Sequence, residues 1–293
     1  MHRKDQAALK ASHPFFHAYG IMLNPASQLS GIRSSQNINK VLQDLSNSFN
    51  KLASGKRINK ASDDAAALAI AANLEASLRT LQQASRNVRD VGSALSIADG
   101  AVSEIQNISG RLQELAVQSA NGTYSNEQRA TLQAEYSSLS SEIGRIAATT
   151  EFNGVKLLDG SQITAQVGIN SGANSQITTS GIDVAAQLAQ VSSQNISTQG
   201  GAQAAISAVQ QFSQSLNTAR SSVGSTQARL DTIDQNISSQ RIGESEALSR
   251  IVDLDYAQQS SLNINKQIQA NSLVALAAYG KKLNADLIRS LIS

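Results

Sequence analysis

Apolar residues recur every seven positions in two distant stretches of the chain. In the first, Leu81, Val88, Leu95 and Val102 fall seven apart, and Ala84, Val91, Ala98, Ile105 and Leu112 occupy the intermediate heptad position. In the second, Val209, Leu216, Val223, Leu230 and Ile237 repeat the spacing, with Phe212, Ala219 and Ile233 interleaved. A 3.5-residue apolar repeat makes a narrow seam that only another helix can bury. The pattern predicts a mainly α fold. Long helices from the two halves form an antiparallel rod or coiled coil, and a small central insert contains β-hairpins.

Local signals divide the chain further. Ile38, Leu42, Leu45, Phe49 and Leu52 predict a first helix over about 34–52, ended by Gly55. Ser62 or Asp63 is expected to cap the next helix, with Asp64 in its first turn. That helix continues to about Ala120 without a proline, roughly 85 Å at 1.5 Å per residue. Asn121-Gly122-Thr123 stops it. Ser125 and Gln128 fit a capping box, and Leu132, Tyr136, Leu139, Ile143 and Ile146 supply the face of a third helix. From 149 to 201 glycines punctuate short runs, among them 163–169 and 176–179, which read as small strands. A second heptad helix is expected over about 202–241. Gly243 marks a break, and a last helical region runs over about 246–291. The resulting segments are 1–21, 22–60, 61–148, 149–201, 202–243 and 244–293.

Composition narrows the functions open to such a fold. Aromatic residues make up 3% of the 293 and there is no Trp, which argues against a large globular core. There is no Cys, so disulfides, thiolate chemistry and cysteine metal sites are excluded. All three His lie in residues 1–21, with Phe15, Phe16, Tyr19 and Pro14. That segment is unlike the rest of the chain, and Met22 is expected to be the true start. With 1–21 set aside, 21 basic and 21 acidic residues remain and no His. Imidazole acid–base chemistry and imidazole metal sites are therefore not expected in the body. Basic residues are scattered among acids, which points away from nucleic acid. No run approaches the 18 or so apolar residues that a membrane span needs. No secretory h-region with a cleavage site is recognisable.

The residue patterns that imitate functional sites have plainer readings. Asp63-Asp64 is read as a helix start, where negative charge is favoured, and not as a catalytic carboxylate pair. Asp253 and Asp255 lack the wider oxygen cluster of a cation site. Asn107, Asn121, Asn195 and Asn236 match Asn-x-Ser/Thr, a short and frequent motif. No enzyme activity, cofactor or metal is expected. The apolar ends, without partners inside a compact domain, read as interaction surfaces that order on assembly.

Four blocks carry a family resemblance. The first is Leu52-Ala53-Ser54-Gly55-Lys56-Arg57-Ile58-Asn59 with Ala61-Ser62-Asp63-Asp64-Ala65-Ala66-Ala67-Leu68-Ala69-Ile70. The second is Gln113-Glu114-Leu115-Ala116-Val117-Gln118-Ser119-Ala120-Asn121-Gly122-Thr123. The third is Phe152-Asn153-Gly154-Val155-Lys156-Leu157-Leu158-Asp159-Gly160, and the fourth Ser249-Arg250-Ile251-Val252-Asp253-Leu254-Asp255-Tyr256-Ala257. In this order and spacing the chain resembles bacterial flagellins of the short type, with a minimal central domain. It departs from them at Pro25, near the start, and at Ala67, where glycine is common.

The resemblance implies a secreted subunit that polymerises with itself into the helical flagellar filament for swimming. Residues 22–60 and 244–293 would pair as the inner tube, with Ile38, Leu42, Leu45, Leu283, Leu287 and Leu291 at inter-subunit contacts. Leu81, Val88, Leu95, Val102, Val209, Leu216, Val223 and Leu230 would hold the rod together. The family also implies a flagellar export apparatus, a chaperone, and junction and cap proteins as partners. Arg111, Leu115, Gln118 and Glu135 fall where flagellins present a surface to neighbouring subunits and to a Toll-like receptor. The nearest alternative is a hook–filament junction protein, and one of another class is a cytosolic coiled-coil adaptor.

Overall fold

The computed structural model describes the backbone from Pro25 to Ile292, with side chains over 31–283 and at Ala285, Asp286 and Arg289. The unusual segment 1–21 and the start at Met22 lie outside the described residues. The elements in order are α1 (Pro25–Ser54), α2 (Ala65–Ala120), α3 (Asn126–Thr149), β1 (Glu151–Phe152), β2 (Val155–Lys156), β3 (Thr164–Gln166), β4 (Gln176–Thr178), α4 (Val184–Ser192), α5 (Gln199–Val252) and α6 (Tyr256–Ile292). A 3-10 turn, Ala173–Ser175, precedes β4. The chain divides into two compact units. One comprises the described residues up to Leu68 together with Ile251 onward, and the other Ala69–Arg250.

The larger unit owes its core to the two heptad stripes. α2 buries Leu81, Val88, Leu95, Val102 and Ile105, and α5 buries Val209, Phe212, Leu216, Val223 and Leu230, all in one hydrophobic cluster. Cross-links of polar side chains fix the helices antiparallel. Ser85 Oγ donates to Asp234 Oδ1 at 2.6 Å, Arg220 Nε reaches Asp99 Oδ1 at 2.8 Å, and the Ser109 and Ser213 hydroxyls meet at 2.8 Å. The partner positions rise along one helix as they fall along the other. Ser125 starts α3 with both halves of a capping box, closed by Gln128. α3 packs on α4. The strands form two separate antiparallel hairpins, β1–β2 and β3–β4.

The smaller unit is built on α1 and α6, which pack against each other. Gly55, at φ +67, ends α1 as the spacing predicts. The next turn then bonds to the segment before α6. The Arg57 amide donates to Val252 O at 2.7 Å and the Leu254 amide to Gly55 O at 3.0 Å.

Several expected boundaries shift. α1 is described from Pro25, not from about Ser34; proline suits a first helical position because it has no amide hydrogen to leave unpaired. α2 is capped by Asp64, whose Oδ1 accepts from the Ala67 amide, and not by Ser62 or Asp63. Asp63 is engaged upstream instead, accepting from the Asn59 and Lys60 amides. Those bonds hold its carboxyl below the ordinary aspartate range, the Asn59 amide contributing most. Gly243 does not break its helix. α5 runs through it to Val252, because one helical glycine costs only about 1 kcal/mol relative to Ala. The interruption falls at 253–255, where Asp255 Oδ1 accepts from the Gln258 amide and starts α6. In the insert, 163–169 and 176–179 contain β3 and β4. The β1–β2 hairpin and α4 are additional to the predicted elements.

Candidate functional site

In the smaller unit, burial selects one stripe on each helix. On α1 it comprises Ser34, Ile38, Val41, Leu45, Ser48 and Leu52, at alternating steps of four and three. On α6 it comprises Gln259, Asn263, Lys266, Ala270, Leu273 and Ala277, with the same alternation. This is coiled-coil spacing, but much of the seam is polar. Gln259 Nε2 donates to Ser48 Oγ at 2.7 Å, and Lys266 Nζ donates to Asp44 Oδ2 at 2.7 Å. The Tyr256 hydroxyl donates to Leu52 O near the junction. Asn263 is buried, and its Oδ1 accepts no hydrogen bond from the protein.

Other large apolar residues of the same helices lie outward. Leu42 is 47% exposed, Phe49 50%, Ile264 and Ile268 58% each, and Leu276 66%. Large apolar side chains collected on an open surface mark an interaction face. Of the positions expected to meet other subunits, Leu42 and Leu283 are exposed. Ile38 and Leu45 are half-buried on the stripe that carries Ser48, so α6 of the same chain covers part of them. The Leu287 and Leu291 side chains lie outside the described residues.

In the larger unit, Leu81, Val88, Leu95, Val102, Val209, Leu216, Val223 and Leu230 are all buried. The four positions assigned to a receptor or assembly surface separate. Arg111 bridges two carboxylates, with Nη2 to Glu135 Oε1 at 2.7 Å and Nη1 to Glu114 Oε2 at 2.9 Å. Its pKa is raised, chiefly by the Glu135 bond. Gln118 is exposed and donates to the Tyr124 hydroxyl at 2.8 Å. Leu115 does not belong to this surface. It is fully buried, because α2 turns Leu112, Leu115, Ala116 and Ser119 to the core on successive steps of three, one and three.

Two buried polar residues support this region. Arg129 spreads its guanidinium over the carbonyls that end α2, with Nη1 to Ser119 O at 2.7 Å and Nη2 to Asn121 O at 2.9 Å. A cation at a helix C-terminus satisfies orphan carbonyls and complements the macrodipole. Tyr136 donates its hydroxyl to Val191 O at 3.2 Å. Burial pushes its pKa up to about 12.

Sequence periodicity picked out Ile38, Leu45 and Leu52 on the α1 side of the seam but not its α6 side. A hydrophobic reading of the last helix selects Leu262, Ile268, Leu273 and Leu276, most of which face outward. The available signal was the four–three alternation of Gln259, Asn263, Lys266 and Ala270, which is invisible to an apolar count. Among the described residues, no group of three or more His, Asp or Glu is placed to hold a metal, and no helix is long and apolar enough to cross a membrane.

Comparison with known proteins places these features. Residues 27–163 match the bacterial flagellin N-terminal helical region, and residues 206–289 match the bacterial flagellin C-terminal helical region. A flagellin of Halalkalibacterium halodurans is 37% identical over 233 residues, covering 79% of this chain and 86% of that protein. A flagellar filament 33 kDa core protein of Treponema phagedenis is 33% identical over 256 residues, covering 81% of this chain and 89% of that one. Among solved structures, a candidate flagellar hook-associated protein from Vibrio parahaemolyticus aligns with a TM-score of 0.54 at 15% identity, covering 65% of this chain and all of that chain. At that identity the likeness is one of fold alone. The long paired helices, the two small hairpins and the sequence matches at both ends have one reading: the chain belongs to the bacterial flagellin family.

Proposed function

We propose that the outward apolar faces of α1 and α6 are the contacts through which this chain joins copies of itself. As a member of a structural, non-enzymatic family, the chain is a subunit of the flagellar filament, and flagellin forms that filament by homopolymerisation. The observation that carries the finer reading is the exposure of large apolar side chains on the α1–α6 pair. Of the residues on these two helices, Ser48, Asn263 and Ala270 are fully buried, while Leu42, Phe49, Ile264, Ile268 and Leu276 are exposed. Each large apolar side chain covered on assembly contributes roughly 1.5–3 kcal/mol. A head-to-tail contact that does not close on itself extends such burial into a polymer.

The test is seeded polymerisation of purified full-length protein, followed by electron microscopy. Leu276→Asp and Ile268→Asp are expected to prevent elongation while the larger unit keeps its unfolding transition. Normal filaments from both variants would contradict the assignment of this face.

The proposal extends to secretion through a flagellar export apparatus, with an export chaperone and the junction and cap proteins as further partners. The absence of cysteine from the whole sequence is compatible with that route. A Toll-like receptor is proposed to read the surface around Arg111, Gln118 and Glu135, a reading supported by their exposure. Leu115 would act there only by packing beneath them. Arg111→Ala is expected to weaken the response of receptor-reporter cells to the monomer, and an unchanged response would remove the receptor from this account.

A further inference from the structure

Two Asn-Gly pairs occur in the chain, Asn121-Gly122 and Asn153-Gly154, both exposed, and the fold treats them differently. Asn121, just past α2, is clamped. Its amide donates to Gln118 O at 3.2 Å, its carbonyl accepts from Arg129 Nη2 at 2.9 Å, and its side-chain Oδ1 accepts from the Thr123 amide at 3.2 Å. Those bonds fix both the side-chain amide and the backbone next to it. Asn153 stands at the tip of the β1–β2 hairpin, where Phe152 pairs with Val155 across the Asn-Gly turn. It has φ 50 and Gly154 φ +79, the backbone that Asn-Gly supplies to such turns. Among the described residues, neither the Asn153 side chain nor the Gly154 amide meets a hydrogen-bond partner. A Cβ placed on Gly154 would meet nothing within 4 Å, so no neighbouring side chain screens that amide.

We propose that Asn153 is a site of spontaneous deamidation in the folded protein and that Asn121 is protected by its clamp. The Gly154 amide nitrogen gives its proton to hydroxide and bonds to Asn153 Cγ. The Cγ–Nδ2 bond breaks, and the side-chain nitrogen leaves as ammonia with a proton from water. Water then adds to either carbonyl of the cyclic imide. Opening one way leaves an aspartate at 153, and opening the other leaves an isoaspartate. No oxidant, reductant or enzyme enters the balance. The isoaspartate carries one more backbone carbon through the turn. Turn length sets hairpin register, so the pairing of Phe152 with Val155 loosens where Phe152 packs against the core. Either product also places a new carboxylate two residues from Glu151, which is paired with Lys156. The conversion is a one-way mark of the chain's age at an exposed tip, and it stands independently of the assembly reading.

The experiment ages the purified full-length protein in mildly alkaline buffer, once folded and once in denaturant, and follows the peptides that contain Asn121 and Asn153 by mass spectrometry. Isoaspartate is scored separately by isoaspartyl-specific methylation. In the folded protein Asn153 is expected to convert about tenfold or more faster than Asn121, with isoaspartate among its products. In denaturant the clamp is gone and both sites are plain Asn-Gly pairs, so their rates are expected to converge. Equal rates in the folded protein overturn the inference. So does a preference for Asn153 that persists undiminished in denaturant, because local sequence and not the fold would then set it. An Asn153 that stays intact in the folded protein while converting in denaturant overturns it as well.

Discussion

Tyr136 shows how one residue ties local chemistry to stability. Its ring is buried, its hydroxyl bonds to Val191 O, and burial raises its pKa to about 12. The ordinary value is 10.0. The phenol is therefore neutral in the fold at a pH where the unfolded chain has begun to lose its proton. Stability from this group is fully present below pH about 10 and is lost as pH rises toward about 12. Urea unfolding across that range should show the decline, and Tyr136→Phe should remove it, at a cost near neutral pH of about 1 kcal/mol for the hydrogen bond. A variant that declines as the parent does would contradict this role. The opposite sign holds at Asp63, whose lowered pKa gives the turn before α2 a contribution that is present above the ordinary carboxylate range and lost as pH falls. Neither effect was legible in the sequence. Tyr136 reads there only as an apolar position at helical spacing, and Asp63 as a cap. The bond partners that set their chemistry lie on a distant carbonyl in one case and on upstream amides in the other.

At the scale of elements, the heptad stripes of α2 and α5 were legible because an apolar residue every three or four positions has one economical burial, against another helix. Leu216 is fully buried within that cluster. Leu216→Ala should destabilise the larger unit by about 2–5 kcal/mol, measured by denaturant unfolding, because α5 cannot collapse locally into the space left behind. A loss below about 1 kcal/mol would place Leu216 outside the shared core. Helix ends were less legible than helix faces. Gly243 carries the usual sign of a stop, yet its backbone bonds continue, and the break comes ten residues later. There Asp255 caps α6 and the Leu254 amide is taken by Gly55. The tight β1–β2 turn, with Asn153 at φ 50 and Gly154 at φ +79, was present in the sequence as Asn-Gly, a strong hairpin signal. α4 escaped because nine residues with two buried valines and a leucine do not stand out from a buried strand by period.

At the scale of the whole molecule, the two units differ in how much of their apolar surface they cover. The larger unit buries its apolar stripes and pairs its polar side chains across helices, so it closes its own core. The α1–α6 pair of the smaller unit fully buries Ser48, Asn263 and Ala270, covers Ile38, Leu45 and Leu52 only in part, and leaves Leu42, Phe49, Ile264, Ile268 and Leu276 open. The family resemblance of the four motifs anticipated a filament subunit, and the sequence matches at both ends place the chain in that family. Which side of α6 faces its partner was not legible, since a hydrophobic count favours the face that in fact points away, whereas on α1 the expected Ile38, Leu45 and Leu52 do lie on the partnered stripe. The single observation that most directly tests this division is amide hydrogen exchange on the same protein before and after polymerisation. Protection over 81–112 and 209–237 should be strong in both states. Over 31–54 and 256–283 it should be weak in the single chain and strong in the filament. Equal and strong protection of those terminal helices before assembly would contradict the account.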